Sequence, residues 1–91
     1  MIAEVTQRKK YYQDFGKNKN VSLSKVQVLK HPEIPNTFFI HVNYYIGEGG
    51  IYKETEILET YTPENGWQNL ETEMTALEYG AFLSDLKPTE I

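Results

Sequence analysis

Cysteine is absent from the sequence, and histidine occurs only twice. The lack of cysteine excludes a disulfide framework, a thiolate nucleophile and a cysteine-based zinc or iron–sulfur site, and it fits a reducing compartment. A catalytic zinc ion takes about three protein ligands, so His31 with Glu33 is too sparse to hold one. We therefore expect neither a metal nor any other cofactor.

Long hydrophobic runs are missing as well. No apolar segment approaches the roughly 20 residues of a membrane span. The first residues, MIAEVTQRKKYYQ, lack the apolar core of a secretory signal. The sequence therefore predicts a protein without a membrane partner that is located in the cytoplasm.

The residues that are present indicate a small folded protein. Hydrophobic residues make up 40% of the 91 positions, with seven tyrosines, four phenylalanines and one tryptophan, which is too apolar for a disordered chain. This length predicts a single domain over residues 1–91, with a core that is just sufficient and little spare surface for a catalytic pocket. The size favours binding over enzymatic activity.

The net charge of −4 is unevenly distributed along the chain. Residues 1–31 hold seven basic and two acidic side chains, a net of +5, whereas residues 32–91 hold two basic and eleven acidic ones, a net of −9. Such asymmetry suggests a partner selected by charge, such as nucleic acid, an acidic protein or a second copy. Solvated faces of different elements also produce it by chance.

Apolar residues alternate with other residues between positions 37 and 46, which predicts a strand with one buried face. That face carries Phe38, Ile40, Val42, Tyr44 and Ile46. Residues 51–61 have the β-branched and aromatic composition of a return strand, and residues 21–30 predict a third strand. In this third strand the apolar phase slips between Leu23 and Val26, as a β-bulge or a strand end would cause. The expected fold class is α+β, with a three-stranded antiparallel meander.

The glycine-rich stretch GEGG between two of these strands predicts a tight hairpin turn, because glycine tolerates positive φ angles. It is not a nucleotide-binding fingerprint, since a strand rather than a helix follows it. With Glu48 and Gly49 at the turn, Ile46 faces Ile51. On the other face this register pairs Tyr45 with Tyr52, Asn43 with Glu54, His41 with Glu56, and Phe39 with Leu58.

Two helices are expected outside the meander. Thr62, Pro63 and Glu64 have the order of a helix start, with a capping hydroxyl, a proline in the first turn and an acid near the positive end of the dipole. They predict an amphipathic helix from about 64 to 79 that packs on the sheet. Its apolar stripe consists of Trp67, Leu70, Met74, Leu77 and Ala81. The first fifteen residues have helical apolar spacing, although IAEVTQR alone could also form a strand.

His41 and Glu56 are the only acid–base pair that the predicted hairpin creates. A carboxylate beside an imidazole can orient the ring for general-base catalysis. No nucleophile, phosphate cradle or third polar group accompanies the pair, so a surface cross-strand contact is the preferred interpretation. No catalytic residue is predicted.

The stretch RKKYY combines basic and aromatic residues, as segments that grip phosphates and stack on bases do. It supports nucleic-acid binding as an alternative function. The sequence pI near 5.1 argues against this alternative, because nucleic-acid-binding domains are usually basic. The residues concerned are Arg8, Lys9, Lys10, Tyr11, Tyr12, Lys17 and Lys19.

The second face of the meander carries more aromatic residues than a small sheet needs. Either the N-terminal segment covers this face, or the face meets another protein chain, a second copy or a host protein. The preferred function is a non-enzymatic protein-binding module or an assembly subunit. Short, cysteine-free chains rich in lysine and asparagine are common among phage and mobile-element products, which suggests a virion component or an inhibitor of a host protein. The predicted binding residues are Phe39, His41, Asn43, Tyr45, Tyr52, Glu54 and Leu58.

Overall fold

The fold is an antiparallel sheet with one helix on each face. The computed structural model describes residues 2–70 and 74–90. Their elements are α1 (Ile2–Phe15), β1 (Val21–Lys30), β2 (Phe38–Glu48), β3 (Ile51–Thr62), β4 (Gly66–Asn69), α2 (Ala76–Asp85) and β5 (Lys87–Pro88). The strand order is β4-β3-β2-β1-β5. The α+β class and the central antiparallel meander are confirmed, and the sheet is larger than predicted by two short edge strands.

Within residues 2–70 and 74–90, no helix is both long enough and apolar enough to cross a membrane.

The β2–β3 hairpin turns at Gly49 and Gly50, whose φ angles are +60° and +83°. Positive φ at both central residues is what a type I′ turn requires, and only glycine adopts it without steric cost. Glu48 therefore pairs with Ile51, so the predicted register, with Glu48 in the turn, is wrong by two residues. A two-residue slip leaves every side chain on its predicted face.

The bulge predicted in β1 is confirmed. The pairing of β1 with β2 shifts between Leu23 and Lys25, so both apolar stretches of the strand face the same side of the sheet.

The helix predicted from about 64 to 79 is wrong in its start and its extent. The Thr62 hydroxyl accepts from the Asn65 backbone N–H at 3.3 Å, but it closes a turn into β4 rather than starting a helix. The helix begins at Ala76, where Thr75 and Glu78 form a reciprocal capping box. Residues 71–73 of the predicted helix lie outside the described residues.

The first face of the sheet is covered by α1, which confirms the helical interpretation of the N-terminal segment. Val5 and Tyr12 of α1 are buried against apolar residues of the three long strands. Tyr44 meets the edge of the Phe15 ring at a centroid separation of 5.2 Å. This cluster contains Val28, Ile40, Val42 and Tyr44.

The second face is covered by α2, in the half of the sheet that lies away from the hairpin turn. Phe39 and Leu58 are buried there, with Phe82 of α2 edge-on to Phe39. The predicted stripe is wrong, because α2 packs through Tyr79, Phe82, Leu83 and Leu86, while Leu77 is 84% exposed. Gly80 lies within α2.

Candidate protein-binding surface

The half of the β2–β3 hairpin near its turn extends beyond both helices. All four residues from Ile51 to Glu54 are exposed, and so is Tyr45 on the facing strand. Ile51 is 74% exposed and Tyr52 is 68% exposed, which is unusual for large apolar or aromatic side chains. Tyr45, Tyr52 and Glu54 share one face of the hairpin, whereas Ile51 lies beside the turn on the opposite face. We call Tyr45, Tyr52 and Glu54 the distal hairpin surface.

The geometry of the hairpin holds the tyrosines of this surface in place. Tyr45 pairs with Glu54, and Tyr52 pairs with Gly47 on the same face. The Tyr52 ring covers this glycine so closely that a methyl group at Gly47 would lie 2.8 Å from Tyr52 Cε1. A bare glycine thus provides the space in which the exposed ring rests.

Three of the predicted binding residues lie in the interior instead. Phe39 and Leu58 belong to the second core cluster, and His41 is 5% exposed. Helix α2 removes them from contact with any partner. Of the predicted set, the distal hairpin surface retains Tyr45, Tyr52 and Glu54, with Asn43 at its border.

Asn43 belongs to a polar cluster beside α2. The Glu56 carboxylate accepts a hydrogen bond from the Tyr79 hydroxyl of α2, and in its satisfied orientation the Asn43 amide donates to Glu56 Oε2 at 3.3 Å. His41 Nε2 lies 3.3 Å from the same oxygen without the alignment of a hydrogen bond. His41 therefore contacts Glu56 as predicted, but diagonally, since its direct partner is Leu58.

The imidazole of this polar cluster is buried, whereas the Glu56 side chain is 36% exposed. The His41 side chain is 7% exposed, and the rim of the cluster is formed by α2. The buried imidazole nitrogen has no aligned hydrogen-bond partner and carries a desolvation cost. No group of three or more metal-ligating residues occurs among residues 2–70 and 74–90.

The basic segment of α1 is only partly available for binding. Arg8 donates to both carboxylate oxygens of Glu59, from Nε at 2.9 Å and from Nη2 at 2.6 Å. The Tyr12 hydroxyl donates to the same carboxylate at 2.7 Å, and Arg8 also lies 5.4 Å from the centroid of the Trp67 ring. Arg8 and Tyr12 thus serve an internal network, which the sequence did not predict.

The lysines of the predicted nucleic-acid set lie outside this network, whereas the Tyr11 ring centroid lies 5.1 Å from the Arg8 guanidinium carbon. Lys10, Lys19 and Tyr11 are exposed, and Lys9 is half-buried. Lys17 forms a 3.4 Å ion pair with Asp14 at the end of α1. The structure therefore spreads these charges along a helix and a loop rather than gathering them around one aromatic patch.

The Arg8–Glu59–Tyr12 network predicts a specific loss of stability at alkaline pH. Burial, followed by the hydrogen bond to Glu59, raises the pKa of Tyr12 above its ordinary value of 10.0. The unfolded chain has the ordinary value, so the stabilisation is complete below about pH 10 and is lost as the pH rises further. Between about pH 10 and 11 we expect the free energy of unfolding to fall less in Tyr12→Phe than in the unsubstituted protein. The difference should reach up to about 1.4 kcal/mol.

Urea unfolding at a series of pH values measures this difference. Tyr52→Phe is the matched control, because Tyr52 is 68% exposed and takes no part in the Arg8–Glu59–Tyr12 network, so it should leave the alkaline loss unchanged. An equally steep loss in Tyr12→Phe would show that another group causes it.

Comparison with known proteins finds no matching family model, no matching curated protein and no matching solved structure. Function is therefore inferred from the chain's own side chains.

Proposed function

We propose that the chain is a non-enzymatic protein-binding module or assembly subunit that contacts another protein through the distal hairpin surface. The observation that carries this proposal is the exposure of Tyr45 and Tyr52 on one face at the end of a hairpin whose other half is fixed between two helices. Tyrosine is favoured at interfaces because its ring gives contact area while its hydroxyl keeps a polar contact.

The proposed mechanism is burial of the two tyrosine rings by the partner, with Glu54 supplying a charge at the rim. Glu54 makes no hydrogen bond or ion pair with any described residue, so its carboxylate is available to a partner. The fixed half of the hairpin reduces the conformational entropy that binding must remove. The composition further supports a phage or mobile-element product, acting in the host cytoplasm or in the virion.

The test compares the two tyrosines of the distal hairpin surface with one tyrosine of α1. The immobilised protein is used to capture partners from a host lysate, and the captured protein is then purified and titrated against each variant. We expect Tyr45→Ser with Tyr52→Ser to weaken binding at least about tenfold. Tyr11→Ser, which removes an equally exposed ring from α1, should change it less than about twofold.

Retention of full binding by the double variant would contradict the proposal, and so would a strict monomer that captures nothing. Sedimentation of the protein alone distinguishes a second copy from a different partner. Circular dichroism of each variant checks that the fold is intact.

Nucleic-acid binding through α1 remains the second candidate, and the exposed Lys10, Tyr11 and Lys19 favour it. Binding of this kind falls steeply with added salt. If Lys9→Glu with Lys10→Glu removes binding to a labelled oligonucleotide while the tyrosine variants keep it, the basic segment is the functional surface.

A further inference from the structure

The outer edge of β3 near the hairpin turn is an open sheet edge. Strand β4 pairs with β3 only from Glu59 to Thr62, and the Leu70 backbone N–H donates to the Leu58 carbonyl at 2.9 Å. Among residues 2–70 and 74–90, no strand pairs with the outer side of β3 before that point. The stretch from Ile51 to Glu54 therefore presents a backbone edge to solvent.

The hydrogen-bond pattern of the sheet determines the direction in which the free backbone groups of β3 point. Residues of an antiparallel strand alternately direct their N–H and C=O groups to one neighbour and then to the other. Because the Leu58 carbonyl points outward to Leu70, the same phase directs the N–H and C=O groups of Tyr52 and Glu54 outward. Those of Lys53, which is paired with Ile46, point toward β2.

The opposite edge of the sheet is less suited to pairing. On β1, Leu29 and Lys30 pair with β5 and the Val28 carbonyl accepts from the Thr89 N–H at 3.0 Å, and the bulge between Leu23 and Lys25 interrupts the remaining edge. Bulges are a common device by which proteins block the pairing of an edge strand. The β3 edge has no bulge, proline or glycine between Ile51 and Thr62, so it is the more regular edge for pairing with an added strand.

The charges on this edge select the partner. Glu54 and Glu56 lie on the same face of β3, while Lys53 on the other face is the only basic residue in this part of the hairpin. An added strand with basic side chains on that face would place them opposite carboxylates, and such cross-strand pairs are favourable.

A second copy fits this edge poorly. Antiparallel pairing would join this edge to the same edge of a second copy. A register centred on residue 53 places Lys53 opposite Lys53, and one centred on residue 54 places Glu54 opposite Glu54. A register centred on residue 55 places Glu54 opposite Glu56. Like charges in direct opposition destabilise a sheet. A register centred on Tyr52 avoids these like-charged pairs, but it leaves the β3 residues after Glu54 without a partner strand.

We propose that the β3 edge binds an extended basic segment of another protein by strand addition, which would add a strand beside Tyr52 and Glu54. This proposal rests on the proposed function and specifies the chemistry of the partner, a basic segment in an extended conformation. Main-chain hydrogen bonds supply affinity in this mode of recognition, and the side chains on alternate positions supply specificity.

The probe is a labelled peptide of about eight residues, the length of a strand, in which lysine alternates with valine or threonine. We expect it to bind with at least about tenfold higher affinity than the same peptide with glutamate in place of lysine. Methylation of the backbone nitrogens that face β3 should abolish binding, because it removes the donors. Glu54→Lys should weaken binding about tenfold, and Glu64→Lys, the same charge change in an exposed turn, should not.

Amide hydrogen exchange gives the readout specific to strand addition. In the free protein the Tyr52 and Glu54 amides should exchange quickly and the Lys53 amide slowly, and the peptide should protect the first two. Failure of the peptide to bind at about 1 mM, or binding without this protection, overturns the proposal. Protection of both amides in a self-associated protein without peptide also overturns it, in favour of a second copy.

The two proposals fail separately. If the double tyrosine variant loses a captured partner while the peptide leaves the Tyr52 and Glu54 amides unprotected, strand addition is wrong and the distal hairpin surface remains the binding surface. If the double variant keeps the partner, the distal hairpin surface itself is wrong.

Discussion

Arg8→Met should lower the free energy of unfolding by about 3 kcal/mol. The substitution keeps an unbranched apolar side chain beside the Trp67 ring but removes both hydrogen bonds to Glu59. The Glu59 residue is 8% exposed, so its carboxylate would be left in the interior without a cation. The penalty lies at the lower end of the range for buried pairs, because the Arg8 side chain is 30% exposed.

Urea unfolding measures this loss, and Lys10→Met is the matched control because Lys10 is exposed on the same helix. The control should change stability by less than about 0.5 kcal/mol. Adding Glu59→Leu to Arg8→Met should recover most of the loss, since the unpaired charge is then gone. If the double variant is as unstable as Arg8→Met, the cost arises from packing and not from the stranded carboxylate.

Leu58→Ala should cost about 3 kcal/mol, and Leu77→Ala should cost less than about 0.5 kcal/mol. The two substitutions remove the same atoms from opposite environments. Leu58 is fully buried between β2 and α2, so its truncation leaves a cavity, whereas Leu77 is exposed on the outer side of α2.

Thermal and urea unfolding of both variants measure the difference, and the comparison tests the orientation of α2 directly. The sequence stripe places Leu77 toward the sheet, and the structure places it in solvent. A loss of more than about 2 kcal/mol in Leu77→Ala would support the orientation that the stripe predicts.

The meander was predictable because its signal is local. Alternation identified the two faces of β2, and a broken alternation located the bulge in β1. The hairpin register was not predictable from alternation, since a slip of two residues preserves both faces. It depends on Gly49 and Gly50 adopting positive φ together, and the stretch GEGG offers glycines for more than one turn.

The start of the second helix shows how two similar signals compete. Thr62 and Pro63 resemble a helix start, but Gly66 has a φ of +69° and the chain turns back into a strand. Thr75 with Glu78 is the stronger signal, because a capping box satisfies two backbone N–H groups rather than one. An interpretation that ranked capping boxes above single caps would have found the helix.

The candidate surface was half predictable. The alternation correctly assigned Phe39, Tyr45, Tyr52 and Leu58 to one face, but it carries no information about which half of that face a helix covers. The Arg8–Glu59–Tyr12 network left a detectable trace, because Glu59 occupies an apolar-facing position of β3 and a buried carboxylate needs a partner.

Covering the two faces with helices from opposite ends of the sequence has a consequence for synthesis on the ribosome. Helix α1 emerges before the sheet, so the first face can be shielded as soon as the strands pair. The residues of α2 emerge after β3, and at roughly 5–20 residues per second the second face waits on the order of seconds for its cover. During that interval Phe39 and Leu58 are available to chaperones or to neighbouring nascent chains, which makes α2 the segment that ends the period of aggregation risk.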